Sequence, residues 1–338
     1  MIRFRTIEDF EAALADLPAP DGQSVAAAGA RQASLTKPAG SLGRLEDIAL
    51  FFAGWQRCIR PVLARGRATI FAGNHGVAAR GVSAFPAEVT AQMVANFQRG
   101  GAAINALAAA AGLELKIVAL ELDRPTADFT QAPAMTAEDC LQALQAGADA
   151  VEGEIDLLVV GEMGIANSTA AAALSCASFG GAAEDWTGRG TGIDDEALSR
   201  KIEVVEAGVS LHGPHAKTPF EMLRRLAGRE IAAIAGAVLA ARRRRIPVML
   251  DGFIACSALA PLARDVPQIS AHCLAGHVSA EPGHKRLLAA LALAPLLDLD
   301  MRLGEGSGAA VAVGLVRAAL AAHAGMATFE EARVATAS

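Results

Sequence analysis

The sequence lacks several residue types and patterns that point to particular classes of protein. It contains no tyrosine, two tryptophans and five cysteines among 338 residues. The cysteines are isolated, with no CxxC pair and no cysteine–histidine spacing typical of a metal site, so we expect reduced thiols and no bound metal. The purest apolar run, residues 231–241, is too short to cross a bilayer, so no membrane span is predicted.

Two further absences concern localisation and nucleic acid. Glu8, Asp9 and Glu11 stand where a secretory signal needs an apolar segment, so the sequence predicts a soluble cytoplasmic protein. The formal net charge of −6 gives no basic surplus, and no nucleic-acid partner is expected. The one basic cluster, residues 242–245, ends a helical stretch, where cations complement the helix dipole.

The residues that are present predict an α/β protein. Hydrophobic residues make up 53% of the chain and charged residues 20%, which excludes a disordered chain. Aliphatic runs at 68–72, 115–120, 155–160 and 246–250 alternate with alanine-rich helical stretches, and glycine follows closely after three of them. This alternation predicts a parallel sheet with helices on both faces, Rossmann-like in layout. Neither a GxGxxG fingerprint nor a Walker A sequence is present.

The two ends of the chain are predicted to be helical. Phe10, Leu14 and Leu17 fall on one helix face near the start, and residues 309–334 have a helical composition. We therefore expect a small helical domain built from residues 1–60 and 320–338. Residues 61–319 would then form a large α/β catalytic domain.

Three glycine-rich loops stand out as candidate ligand-binding segments. Residues 161–169 follow a strand and open an alanine-rich helix, with Asn167, Ser168 and Thr169 as expected N-cap residues. Residues 188–192 and 304–308 form the other two. Free backbone N–H groups at a helix start bind phosphate. One such loop is usually an ordinary turn, but several in one chain favour a phosphate-bearing small molecule.

Glu305 and Glu162 are the candidate acid–base pair, because each lies in one of these loops. A carboxyl group in an apolar pocket has a raised pKa and can therefore take up a proton near neutral pH. Asp251, directly before Gly252, is predicted to be a turn residue. His75 is predicted to be a hydrogen-bonded loop histidine rather than a catalytic one. A serine nucleophile is not indicated, since the GxSxG pattern is missing.

These segments, in this order, resemble the nicotinate-nucleotide–dimethylbenzimidazole phosphoribosyltransferase family. The resemblance extends from about residue 35 to residue 320. Its stretches are LTKPAGSLGRLE (35–46), GNHGV (73–77), GVSAFP (81–86), GGAAIN (100–105), GEMGIAN (161–167), LDGFI (250–254), HVSAE (277–281) and MRLGEGSGA (301–309). The resemblance implies a parallel α/β domain, a small helical domain built from both termini, and assembly as a homodimer.

The resemblance also implies a reaction between two small molecules, with no cofactor. A benzimidazole-type base attacks C1′ of nicotinate mononucleotide, nicotinate leaves, and inversion gives α-ribazole phosphate. Glu305 matches the general base of the family, and Glu162 matches a supporting carboxylate. Nucleotide binding is implied for Gly164, Gly190, Thr191, Gly192, Lys201, Ser279, Gly304 and Gly306. An apolar slot for the base is implied for Phe85, Met93, Met163 and Leu303.

Three positions depart from the family pattern. Asn74 stands where many members have aspartate, so it supplies no charge, and the roles of Asn74 and His75 stay open. Phe85 and Met93 stand where well-known members carry serine and glutamine. The preferred base therefore stays open among dimethylbenzimidazole, another benzimidazole, adenine and a phenol.

Two functions from other classes compete with the transferase. A catalytically silent nucleotide-binding partner subunit would keep the fold without the activity, but the intact Glu305 argues against it. A nicotinamide-dependent oxidoreductase would use a similar sheet, but the missing GxGxxG fingerprint argues against that.

Overall fold

One parallel sheet organises the molecule. A computed structural model describes residues 2–190 and 192–335, and within them six parallel strands form a sheet in the order β2-β1-β3-β4-β5-β6. The strands are β1 (Gly66–Ala72), β2 (Leu113–Ala119), β3 (Leu157–Met163), β4 (Val248–Leu250), β5 (Cys273–Val278) and β6 (Pro295–Asp298). The predicted α/β fold class is confirmed.

Four of these strands, β1 to β4, lie where the aliphatic runs predict them. The other two are not predicted from the sequence. Gly276 and His277 interrupt the apolar run of β5, and β6 is only four residues long. Short strands with mixed composition carry too weak a pattern to be separated from loops.

Helices cover both faces of the sheet. They are α1 (Ile7–Ala15), α2 (Gly22–Ser34), α3 (Arg44–Gln56), α4 (Glu88–Gln98), α5 (Ala103–Ala110), α6 (Ala137–Ala150), α7 (Asn167–Phe179), α8 (Asp195–His212), α9 (Pro219–Leu226), α10 (Arg229–Arg243), α11 (Phe253–Ser257), α12 (Ala260–Asp265), α13 (Pro282–Ala290), α14 (Ser307–Gly325) and α15 (Phe329–Ala332). Helices α6 and α10 contact each other over one face, and α3, α5 and α14 pack together over the other.

The central strands are apolar along their whole length because both of their faces are buried. In β3, Leu158 and Val160 belong to one apolar core, whereas Leu157 and Val159 belong to the core on the opposite face. Successive side chains of a strand point to opposite faces, so a strand between two helical layers needs apolar residues at every position.

The strand order places a topological switch point beside β1. The chain crosses from β1 to β2 on one side and then returns to form β3 on the other side of β1. The start of the loop after β1 is joined there to the end of β3, because the Gly73 N–H donates to the Met163 carbonyl oxygen at 3.0 Å. In open α/β sheets, ligands bind outside the carboxyl ends of the strands at such a point.

Helices from both ends of the chain contact each other. Helices α2 and α3 pack together, and α3 also packs against α14. The Arg31 side chain donates to the carbonyl oxygens of His323, Ala324 and Met326. Helix α1 lies elsewhere, and its Phe10 ring stands 5.9 Å from the ring of Phe220. Residue 320 falls inside α14, which runs on to 325, so the predicted domain limits stay a prediction.

The basic cluster at the end of α10 binds backbone carbonyl groups of its own chain. Arg242 Nε donates to the Pro18 carbonyl oxygen at 2.7 Å, and its guanidinium lies 4.5 Å from the centre of the Trp55 ring. Arg243, Arg244 and Arg245 bind the carbonyl oxygens of Asp16, Val151 and Ala19, respectively. These arginines therefore hold two surface segments in place.

Helix α14 is long and apolar enough to cross a membrane by length and composition, alone among the helices in 2–190 and 192–335. An 18-residue stretch of this helix has a mean hydropathy of 1.4, and half of that stretch is buried. The helix packs against β3, β5 and α3. Its apolar residues therefore serve the core on one face of the sheet.

Candidate active site

A cleft lies at the carboxyl ends of the strands, beside the switch point. The free space between its walls, including the part that is open to solvent, is about 810 Å³. Its walls come from the segments after β1, β3, β4, β5 and β6, and from α8. They include Val82, Ser83, Glu162, Met163, Gly164, Ser168, Gly190, Lys201, His277, Ser279, Leu303 and Gly304.

Glu162 lies near the end of β3, and its carboxyl group is buried in the wall of the cleft. The pKa of Glu162 is raised to about 8, chiefly by burial and to a smaller extent by the nearby carboxyl groups of Glu230, Asp251 and Glu305. A hydrogen bond from the Asn167 side-chain amide to Oε2 opposes this rise. Glu162 is therefore largely protonated at neutral pH.

Helix α7 starts directly after Glu162, but not as the sequence predicts. Its N-cap residue is Ala166, which has a φ of 72° and no capping side chain, so the N-cap prediction for residues 167–169 is wrong. Asn167 is instead the first helical residue, and its side chain binds Glu162. The Ser168 hydroxyl accepts a hydrogen bond from Lys201. The polar residues at this helix start therefore serve the cleft.

Glu305 lies in a loop with three successive left-handed residues. Gly304, Glu305 and Gly306 have φ angles of 79°, 62° and 77°. Glycine adopts such angles freely, whereas a residue with a side chain meets strain on the order of 1–2 kcal/mol. A Cβ atom at Gly304 would lie 2.6 Å from Glu162 Oε1. Glycine at this position suits both the left-handed backbone and the close approach of the Glu162 carboxyl group.

The Glu305 carboxyl group is buried just behind Gly304, although Glu305 and Gly306 are not among the lining residues. Within 2–190 and 192–335, no group hydrogen-bonds to its Oε2 atom. Burial raises the pKa of Glu305 to about 7, with a further contribution from the charge of Asp251. Glu305 is therefore divided between its protonated and ionised forms at neutral pH, as a general base requires.

Asp251 is not the turn residue that the sequence predicts. It directly follows β4, is fully buried, and binds the start of α14. Its Oδ2 accepts from Gly306 N at 3.0 Å and its Oδ1 from Ala309 N at 2.9 Å. Burial raises the pKa of Asp251 to about 7, while these N–H bonds favour its ionised form. This role joins two segments far apart in the chain, so no local pattern could predict it.

Lys201 extends from α8 into the wall of the cleft and is almost fully buried. Its Nζ donates to Ser168 Oγ at 2.9 Å and to the Gly188 carbonyl oxygen at 2.8 Å. Burial lowers the pKa of Lys201 to about 8, although the charge of Glu281 acts in the opposite direction. The ammonium group is therefore still mostly charged at neutral pH and is available to an anion in the cleft.

The 188–192 loop reaches the cleft through Arg189 and Gly190. The Gly190 N–H donates to Glu281 Oε1 at 2.9 Å, which connects the loop to the segment after β5. Gly192 lines an adjoining hollow rather than the main cleft. Thr191, the remaining predicted member of this loop, lies outside the described residues.

His277, near the end of β5, and Ser279, directly after it, contribute the next part of the wall. The Ser279 N–H donates to His284 Nδ1 at 2.8 Å, which fixes the loop. His277 lines the cleft and is fully buried, and within the described ranges neither of its ring nitrogens has a hydrogen-bond partner closer than Asp251 Oδ1, 3.5 Å from Nε2. His277 and Ser279 both lie in the HVSAE stretch, but only Ser279 is predicted from the sequence to be a binding residue.

Only two of the four residues predicted to form an apolar slot for the base line the cleft. Met163 and Leu303 line the cleft, and Leu303 is 55% exposed at its rim. Phe85 and Met93 are not among the lining residues. Phe85 lies in an irregular segment before α4 and is 50% exposed, while Met93 packs from α4 against the core of the sheet. Val82 and Ser83 supply this part of the wall instead.

His75 is a buried, hydrogen-bonded loop residue, as the sequence predicts. Its Nε2 lies 2.7 Å from Glu230 Oε1, and both side chains are almost completely buried. The neighbouring Asn74 amide donates to the Leu122 carbonyl oxygen at 2.9 Å. Glu230 was missed by sequence reasoning, because a single glutamate in the first turn of α10 resembles an ordinary solvent-facing residue.

Metal-ligating side chains do not cluster in the described ranges, where no group of three or more histidine, cysteine, aspartate or glutamate side chains could hold a metal ion. The side chains in and beside the cleft offer instead two carboxyl groups with raised pKa values and a buried ammonium group. These groups are suited to proton transfer and to anion binding.

Comparison with known proteins agrees with this chemistry. A family model described as a phosphoribosyltransferase matches residues 17–334. A protein of Novosphingobium aromaticivorans named nicotinate-nucleotide–dimethylbenzimidazole phosphoribosyltransferase is 66% identical over 335 residues, which cover 99% of each chain. The chain belongs to this phosphoribosyltransferase family. A relative of the same name from a Ruegeria species (strain TM1040) is 58% identical and covers 97% of each chain.

Solved structures of phosphoribosyltransferases share the fold. The crystal structure of CobT from Thermus thermophilus has a TM-score of 0.88 and 42% sequence identity. It matches 93% of this chain and 100% of its own chain. The predicted family and the enzyme class, a pentosyltransferase, are thereby confirmed.

Proposed function

We propose that this phosphoribosyltransferase moves the phosphoribosyl group of nicotinate mononucleotide to 5,6-dimethylbenzimidazole, releasing nicotinate, in assembly of the cobalamin nucleotide loop. The observation that carries the proposal is the pair of buried carboxyl groups, Glu162 and Glu305, with pKa values raised to about 8 and about 7 beside one cleft. Membership of the family and the names of the relatives support the choice of substrates.

The reaction needs one proton acceptor and no proton donor. A benzimidazole nitrogen forms a bond to C1′, and the bond from C1′ to the pyridinium nitrogen breaks. That nitrogen keeps the electron pair and leaves in its neutral form. The proton on the second benzimidazole nitrogen passes to the Glu305 carboxylate. A base with a pKa near 7 is ionised often enough to act and basic enough to accept the proton.

Glu162 has a supporting role in this proposal. Its pKa of about 8 keeps it protonated at neutral pH. A neutral carboxyl group donates one hydrogen bond, so Glu162 orients a substrate and does not balance positive charge at C1′. The Asn167 amide holds its Oε2 atom, which leaves the other oxygen beside Gly304.

The nucleotide phosphate binds, in this proposal, between Lys201 and the loops that start at Gly164 and Gly188. Lys201 supplies a buried positive charge, and the Ser168 hydroxyl and the backbone of Gly190 lie beside it. Burial strengthens an ion pair with phosphate because little water competes for either charge. Holding both substrates in line also removes several kcal/mol of entropic cost.

We also propose that the protein is a cytoplasmic homodimer. Phe85, which follows β1, and Leu299 and Leu303, which follow β6, are each about half exposed, and exposed apolar side chains of this size favour a covering surface. The molecular mass in solution, measured by light scattering, tests the dimer.

The proposed reaction is tested by incubating the enzyme with nicotinate mononucleotide, with and without 5,6-dimethylbenzimidazole. We expect nicotinate release only when the base is present, and a product with the α configuration at C1′ by NMR. A β product would contradict direct inversion. Nucleotide binding without release for any benzimidazole, purine or phenol would favour the silent partner subunit.

A further inference from the structure

The left-handed conformation of the loop that carries Glu305 is not imposed by any covalent bond. All three of its residues have positive φ angles, and such an angle is disfavoured at Glu305 because it has a side chain. Tertiary contacts must therefore hold the loop in this conformation. Asp251 supplies two such contacts. One Asp251 oxygen binds the N–H of Gly306, the residue after Glu305, and the other binds the N–H of Ala309.

Asp251 is well placed to act as an anchor. It is the residue after the last one of β4, a strand in the middle of the sheet, so its backbone is fixed by its neighbours on both sides. Its carboxylate meets free N–H groups in the first turn of α14, where the helix dipole favours negative charge. Two hydrogen bonds to separate oxygen atoms also fix the rotation of the carboxylate plane.

The charged and titratable groups around Glu305 come from several elements. Asp251 follows β4, Glu162 lies on β3, His277 lies on β5, and Arg302 precedes the loop itself. Burial lowers the pKa of His277, so it adds no charge at neutral pH. Glu162 is largely protonated there, because its pKa is about 8. Asp251, with a pKa of about 7, is partly ionised at neutral pH, and its charge raises the pKa of Glu305.

We propose that Asp251 is the positioning residue of the proposed base: through the first amides of α14 it fixes the strained loop that carries Glu305. The charge of the same carboxyl group also raises the pKa of Glu305. The inference rests on the proposed function and extends it, because it explains why a carboxylate that never reaches the cleft surface is built against the base.

The test is the pH profile of kcat/KM for nicotinate release in wild type, D251N and E305Q. The Tm of each variant shows whether its fold survives the substitution. D123N, at an exposed aspartate after β2, is the matched control. At each pH, kcat/KM of the variant is divided by kcat/KM of wild type, because this ratio cancels the effect of substrate ionisation.

We expect D251N to move the acidic limb of the profile to lower pH by roughly one unit, because the negative charge that opposed ionisation of Glu305 is gone. The plateau should fall roughly tenfold or more, since the base is weaker and less well oriented. D123N should keep the wild-type profile. A limb that stays in place in folded D251N would overturn the inference.

Two further variants separate this inference from the proposed function. An acidic limb that persists in E305Q would remove Glu305 as the base, whatever D251N does. If D251N does not fold, D251S removes the charge while keeping a hydroxyl acceptor for α14, and it should show the same shift. Failure of both variants to fold would assign Asp251 a purely structural role and overturn the inference.

Discussion

At the scale of single residues, the proposed general base Glu305 lies on a strained backbone. Its φ of 62° disfavours any residue with a Cβ atom. We expect E305G to be more stable than E305A by about 1 kcal/mol, because both lack the carboxyl group and only glycine relieves the strain. Urea unfolding of the two variants measures the difference. Equal stability would show that the loop is not strained at this residue.

Lys201 gives a second prediction at the residue scale. We expect K201M to raise KM for nicotinate mononucleotide roughly 10- to 100-fold with a smaller change in kcat, because a buried charge–phosphate contact is worth about 1.5–3 kcal/mol. K285M, at an exposed lysine on α13, is the control and should leave KM unchanged. In wild type, KM should also rise above about pH 8, where Lys201 loses its proton. A KM in K201M equal to that of wild type would remove Lys201 from the phosphate site.

At the scale of elements, α14 contains two glycines with opposite expected effects. A Cβ atom at Gly308 would lie 2.2 Å from the His277 ring, whereas nothing lies within 4 Å of such an atom at Gly314. We expect G308A to lose roughly 1–3 kcal/mol of stability and most activity, because the helix start must move away from β5. G314A should gain up to about 1 kcal/mol from helix propensity. Thermal unfolding with activity assays compares the two, and a neutral G308A would contradict the packing.

The elements also show how far sequence reasoning reaches. The aliphatic runs of β1 to β4 and the glycines after them locate the sheet and its ligand-binding edge, because burial on both faces leaves a local signal. The contact of Asp251 with α14 and the pairing of His75 with Glu230 join residues 58 and 155 positions apart. No local pattern reports such contacts. Phe85 and Met93 were placed by resemblance, and their surroundings in this fold differ from the predicted slot.

At the scale of the whole molecule, the buried carboxyl groups make stability depend on pH. Folding raises the pKa of Glu162 to about 8 and those of Asp251 and Glu305 to about 7. A raised carboxyl pKa contributes stability that is fully present below the unfolded value, near 4, and is lost as the pH rises through the folded value. Buried neutral histidines act in the opposite direction, but only below about pH 6.5.

We therefore expect Tm to fall between about pH 6.5 and pH 8. The E162Q variant removes the carboxyl group with the highest pKa of the three and should show a smaller fall over this range. E330Q, at an exposed glutamate on α15, should keep the wild-type slope. Calorimetry in buffers of matched ionic strength measures the slopes. A Tm that is constant or rises over this range would show that these carboxyl groups are not protonated in the folded protein.

The most direct test of the whole account compares nicotinate release, in the presence of 5,6-dimethylbenzimidazole, between wild type, E305Q and E330Q. We expect E305Q to lower kcat roughly 10²- to 10⁴-fold, because the proton of the attacking base then has no acceptor. E330Q should match wild type. Full release by a folded E305Q enzyme would contradict the account and leave Glu162 as the carboxyl group to be tested next.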